Sequence, residues 1–293
     1  MSYKSILVPL NGTDADSRAL ACAYRIAQIT NCHMNVLHVQ EDSKEAVPLL
    51  GEGMSGAMIE EMIDLADRDS NERSNHAKQT FDQFVADKGI NVIEAPSSPE
   101  GLSAPSAHWV HRVGREDEIV SRGGRISDIT VVARPKSETE RPSLMTLHAA
   151  IFETGKPVLI VPPDMPAEMG KRILIAWNGT SEASAAVFAA MPFLERAESI
   201  TVLTVETEKA LNRISSEELL KNLAWHGVSS ATIQKVPTSA ESVGEIILKQ
   251  CALMNADLLV TGAYTHSRLI QIILGGVTRH IIAEATIPIL AAH

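Results

Sequence analysis

Ser5-Ile-Leu-Val-Pro-Leu-Asn-Gly-Thr13 reads as a buried strand running into a tight turn, and Arg172-Ile-Leu-Ile-Ala-Trp-Asn-Gly-Thr180 repeats it past the middle of the chain. Ser17 and Ser184 recur in step with the two turns. The next apolar runs, Val36-Leu-His-Val39 and Val202-Leu-Thr-Val205, keep nearly the same offset. Asp128-Ile-Thr-Val-Val132 is answered by Asp257-Leu-Leu-Val-Thr261, and Lys156-Pro-Val-Leu-Ile-Val161 by Ile287-Pro-Ile-Leu-Ala291. Four matched strands in one order make an internal repeat.

Between the strands, the patterning predicts helices over 14–30, 57–88 and 117–123 in the first half and 181–195, 215–225 and 242–255 in the second. Strands alternating with helices imply right-handed βαβ units and a parallel sheet covered on both faces, which is why the strands are continuous Val/Ile/Leu runs. The chain of 293 residues is long enough for two such α/β layers. Val161-Pro-Pro-Asp-Met-Pro-Ala-Glu-Met-Gly170 has the proline-rich, polar composition of a linker. The boundary is therefore expected near Pro166, between domains at 1–163 and 170–293. The first half also carries an insertion, 41–80, whose segment Met58-Ile-Glu-Glu-Met-Ile-Asp-Leu-Ala66 has helical spacing but no legible role.

Apolar residues make up 45% and charged residues 21% of the chain, the composition of a folded globular protein. The formal net charge of −10 repels phosphate backbones and anionic membranes, so neither nucleic acid nor a membrane is an expected partner. An anionic ligand must be held by a local device instead. Cys22, Cys32 and Cys251 are odd in number and lack a CxxC spacing, which predicts reduced packing residues. Met-Ser-Tyr-Lys-Ser-Ile6 leads straight into a strand, no apolar run reaches the ~18 residues of a membrane span, and a cytoplasmic protein is expected.

Thr261-Gly-Ala-Tyr-Thr-His-Ser-Arg-Leu-Ile-Gln-Ile-Ile-Leu-Gly-Gly-Val-Thr278 follows a predicted strand directly. Gly262 closes that strand, and Gly275-Gly276 precedes a helix beginning near Val277. Two glycines before a helix let consecutive N–H groups face one concavity at the positive end of the helix dipole, and Thr278 adds a hydroxyl donor. That arrangement suits a phosphate, although Gly-Gly equally makes a tight turn or a cap.

The stretch resembles the signature of the universal stress protein family: a glycine, two residues, a second glycine, nine residues, then a glycine with a small hydroxyl residue. Gly262 and Gly275 fall on its first and third glycines, Thr265 on the second, and Gly276 on the hydroxyl position. The likeness extends over both halves through the Gly-Thr turns, the Val-Leu-x-Val strands and the closing Pro-Val-Leu or Pro-Ile-Leu strands. It implies two tandem doubly wound five-stranded parallel sheets of order 3-2-1-4-5, Rossmann-like and of the adenine nucleotide alpha hydrolase type. It further implies ATP or another adenine nucleotide bound in the second half by Ala176, Asn178, Val205, Gly262, Thr265, Gly275, Gly276, Val277 and Thr278. Through the last strands it implies an intrachain pseudo-dimer, with a homodimer open. Where the family's first strand ends in aspartate, this chain has Asn11 and Asn178, which keep the hydrogen-bonding shape and lose the charge that would hold a metal, so no metal is expected.

After Val132 the first half continues Ala133-Arg-Pro-Lys-Ser-Glu-Thr-Glu-Arg-Pro-Ser143 and reaches no glycine before Gly155, so its phosphate loop is expected to be degenerate. Gly51-Glu-Gly-Met-Ser-Gly56 matches GxGxxG by letter but does not open a helix after a first strand. His108-Trp-Val-His111 is a histidine pair without a third ligand in sequence reach. No Walker A run, GxSxG elbow or marked carboxylate pair announces catalysis. Three functions stay open: a stress-response protein signalling by nucleotide occupancy, a ligand-free interaction protein, and a slow ATPase.

Overall fold

The computed structural model describes residues 2–42, 55–96, 102–134, 141–206, 214–238, 240–263 and 276–293. Contacts divide the chain into two compact units, Tyr3–Thr154 and Gly155–His293 with Met1–Ser2. The first unit runs β1 (Ser5–Leu10), α1 (Asp16–Thr30), β2 (His33–Gln40), α2 (Gly56–Lys88), β3 (Asn91–Val92), β4 (Ser106–Val113), α3 (Glu116–Arg125), β5 (Ile129–Ala133) and α4 (Arg141–Phe152). Its strands lie in the order β3-β4-β2-β1-β5, all parallel.

The second unit runs β6 (Val158–Val161), β7 (Arg172–Ala176), α5 (Ser181–Ala189), α6 (Met191–Leu194), β8 (Ser199–Glu206), α7 (Ser216–Trp225), β9 (Ala231–Pro237), α8 (Val243–Leu253), β10 (Leu258–Gly262), α9 (Gly276–Glu284) and β11 (Ile289–Ala292). Its order is β6-β11-β10-β7-β8-β9, so the five strands of the repeat stand as 3-2-1-4-5. The central strands are covered on both faces: Ile6, Val8 and Leu10 on β1 and Leu174 and Ile175 on β7 are buried, whatever side they point to.

The expected pair of five-stranded, wholly parallel sheets needs correcting at the margins. β3 adds a short strand outside β4 in the first unit. β6, which the repeat assigns to the first half, lies in the second unit and pairs antiparallel with β11, Ile160 opposite Ile289 and Val158 opposite Ala291. Both strands are wholly buried runs, and an unpaired edge would leave a row of N–H and C=O groups bare; pairing satisfies them. Contacts therefore change allegiance at Gly155, ahead of the proline-rich stretch near Pro166. The helix expected over 181–195 breaks at Ala190, because Pro192 begins a new turn and has no N–H for the old one.

One device recurs in both units. Asp128, before β5, accepts from the N–H groups of Lys4 and Ser5 at 2.7 and 3.0 Å, and so fixes the start of β1. Asp257, before β10, accepts from Gly170, Lys171 and Arg172 at 2.8, 3.0 and 3.0 Å and faces the Arg172 guanidinium at 3.3 Å.

Candidate functional site

In the second unit, Ala176 at the end of β7 is in register with Leu203 of β8 and Thr261 of β10. Asn178, Val205, Gly262 and the start of α9 therefore share the carboxyl end of the sheet at the β7/β10 switch point, where an open parallel sheet forms its crevice. Asn178 is exposed, and its Oδ1 accepts from the N–H and Oγ1 of Thr180 at 3.2 and 2.9 Å. Thr180 in turn caps α5 by accepting from the N–H of Ala183 at 3.3 Å. Trp177 is buried and donates through Nε1 to the Ile214 carbonyl at 3.0 Å. Thr265 and Gly275 lie outside the described residues.

The glycines differ in what requires them. A Cβ on Gly262 would lie 2.6 Å from the Ala183 nitrogen and 2.9 Å from the Glu182 carbonyl carbon. Gly262 lets β10 close on the first turn of α5. Gly276 is the opposite case: a Cβ there meets no described atom within 4 Å. Among the described residues, none packs where its side chain would stand. Val277 beside it is exposed, and Thr278 is buried in the same turn.

A residue the sequence did not single out also stands here. Glu182, in the first turn of α5, has a buried Oε2 with no hydrogen-bond partner among the described residues. Burial opposes its ionisation, but its own backbone N–H and the Thr180 and Ser181 side chains outweigh that and hold the carboxyl below its ordinary range. Its signal was an acid in the first turn after a Thr cap.

The matching crevice of the first unit is occupied by its own side chains. Asp16 accepts from the N–H groups of Asn11 and Gly12 at 3.0 and 2.9 Å, Asn11 Nδ2 donates to Thr146 Oγ1 at 3.1 Å, and Thr146 donates to Glu116. All four are buried. Burial pushes Asp16 up to about 6 despite its backbone donors, and Glu116 up to about 7 despite the Thr146 hydroxyl. Between Pro9, Asn11, Asp16, Val132, Ala133 and Thr146 remains a space of about 10 Å³, room for one water and not for a phosphate. A Cβ on Gly12 would lie 2.3 Å from the Arg73 carbonyl oxygen of α2. Counted back from Pro157 and Pro288, Met145 stands where the second unit has Gly276.

His108 and His111 are three apart on β4 and so point to opposite faces of the sheet. His111 Nε2 lies 3.1 Å from Gln40 Oε1, and its ring stacks on His38 at 5.9 Å. Among the described residues, no group of three or more His, Cys, Asp or Glu is placed to hold a metal ion. No described helix is long and apolar enough to cross a membrane. Gly56 opens α2, while Gly51 and Gly53 lie outside the described residues.

Taken with its 3-2-1-4-5 order, a crevice at the β7/β10 switch point makes the second unit a Rossmann-like α/β domain. Residues 169–293, within the second unit, match the universal stress protein family. A universal stress protein from Archaeoglobus fulgidus DSM 4304 is 13% identical, with a TM-score of 0.66 over 99% of this chain and 96% of its own. A functionally unknown protein from Pseudomonas aeruginosa PAO1 is 14% identical, with a TM-score of 0.54 over 98% of this chain and 92% of its own. At such identities the likeness is one of fold. No curated protein sequence matches.

Proposed function

We propose that the second unit binds ATP or a related adenine nucleotide at the β7/β10 crevice and that the protein serves stress response by signalling its occupancy, in the cytoplasm. The phosphates would meet the N-terminus of α9 at Gly275, Gly276, Val277 and Thr278, with Asn178 and Thr265 beside them and Ala176 and Val205 toward the nucleoside. The observation that carries this reading is Gly276: no described atom occupies the space a side chain there would take, at the start of a helix, whose N-terminal dipole favours an anion. The first unit takes no nucleotide in this proposal, because Asp16, Asn11, Thr146 and Glu116 already fill its crevice.

Calorimetric titration with ATP tests the assignment. Wild type gives binding heat, Gly276→Val abolishes it, and Thr278→Ala weakens affinity by about threefold to tenfold, the worth of one hydroxyl donor of ~0.5–1.5 kcal/mol. Ala133→Val, in the filled crevice, leaves affinity unchanged. Heat that survives Gly276→Val, or a wild type that gives none, sinks the proposal.

A further inference from the structure

α2 is longer than the crossover it makes requires. Its 33 residues extend about 50 Å, whereas β2 and β4, at 8 residues each, span about 27 Å. Its buried residues begin only at Ser70: Ser70, Ala77 and Phe81 are buried, Phe81 meets the Trp109 ring at 5.4 Å, and Phe84 meets Tyr24 at 5.8 Å. Before Ser70 no residue of α2 is buried.

That overhanging portion is nevertheless patterned for contact. Met58, Met62 and Leu65, at i, i+4 and i+7, are 52%, 38% and 68% exposed, and Ile59 and Ile63 beside them are only half-buried. At 100° per residue these side chains fill an arc of about 160°, wider than a helix needs to cover one sheet. Glu60, Glu61, Asp64 and Asp67 occupy the other side, with Glu61 and Asp67 along the two rims of the apolar arc, against a single Arg68, and Asp69, paired with Arg73 at 3.0 Å, closes the apolar stripe at its far end. Among the described residues, none of this face is buried by the rest of the chain, which leaves it available to a partner.

We propose that the 56–69 turns of α2 are a docking surface for a basic amphipathic segment of another protein. Its apolar side chains would seat on Met58, Met62 and Leu65, and its Lys or Arg residues would reach the acidic rims. Charge complementarity selects this occupant. A second copy would bring the same carboxylates face to face on a chain of net charge −10, and like charges at a rim oppose association. Methionine suits the role because its unbranched, polarizable side chain repacks against different anchors.

The test uses the full chain and a fluorescent synthetic peptide of Leu and Lys at helical amphipathic spacing, followed by anisotropy. Saturable binding is expected, weakened by salt and reduced about tenfold or more when the peptide sequence is scrambled or when Met62→Glu and Leu65→Glu are introduced together. Both positions are exposed, and an unchanged thermal unfolding profile verifies that the variant is folded. Equal binding by the scrambled peptide or by the variant overturns the proposal in favour of bulk charge attraction. Self-association that the variant abolishes overturns it in favour of a second copy. Binding that appears only after 43–54 is deleted overturns it in favour of the chain's own preceding segment.

Discussion

The two strand-end crevices start from the same sequence, an apolar strand closed by Asn-Gly-Thr, and end in opposite states. In the first unit Asp16, Asn11, Thr146 and Glu116 form a buried chain of hydrogen bonds, and the α2 backbone presses on Gly12. In the second, the equivalent asparagine is exposed, and Gly276 stands where the first unit has Met145. The difference shows that the same strand ending can be sealed in one repeat of an α/β layer and left exposed in the other. Polar side chains can close one while the main-chain framework stays the same.

The contrast extends to how firmly each unit is fastened, and there the largest effect is expected. Asp257 serves three backbone N–H groups and a guanidinium, and Asp128 two N–H groups. Asp257→Ala should cost the second unit about 3–5 kcal/mol and Asp128→Ala the first unit roughly half as much. Urea unfolding followed separately for each unit decides this, and equal losses would erase the contrast.

The filled crevice should also make the first unit pH-sensitive in a direction uncommon for carboxylates. Asp16 and Glu116 have pKa values raised to about 6 and about 7 when folded, so the native state holds protons that the unfolded chain releases. Their stabilisation is present below the ordinary carboxylate range and is lost as pH rises through 6 and 7. Between pH 5 and pH 8 the first unit should lose roughly 1–3 kcal/mol, and Glu116→Gln, which keeps a partner for Thr146, should flatten the change. Urea midpoints that stay level across that range in wild type would show that the two carboxyls ionise without penalty. The second unit, which lacks this pair, serves as the internal control.

The smallest effect concerns Glu182, whose carboxylate stands beside the proposed phosphate position. Glu182→Gln should tighten ATP binding about twofold to fivefold at low salt, with the gain shrinking as added salt screens the charge. A loss of affinity would mean that the carboxylate helps hold the ligand instead.

Much of the fold was legible because central parallel strands leave an unmixed apolar record, as in Ile6–Leu10 and Ile173–Ala176. The third strands, β4 and β9, were not, since Ser-Ala-His-Trp-Val-His-Arg-Val113 and Ala-Thr-Ile-Gln-Lys-Val-Pro237 are partly exposed and mix polar with apolar residues. Site residues divide in the same way. Strand register brings the ends of β7, β8 and β10 to one edge of the sheet, which the repeat already implied. The packing of Gly262 on α5 was not legible, because a glycine required by helix packing and one required by a ligand look identical in sequence. Glu116 and Thr146 are 30 residues apart, and nothing local marks them as partners.

The crossing of β6 into the second unit has a consequence for the order of synthesis. Ile160 and its partner Ile289 are separated by about 130 residues, so at ~5–20 residues per second the ribosome exposes β6 on the order of ten seconds before β11 exists to pair with it. During that interval the edge that β11 will cover offers four apolar residues to any complementary strand, including the β11 of a chain finishing nearby. An exchanged dimer, each chain lending its β6 to the other, is the product a polysome crowded with this protein would be prone to make.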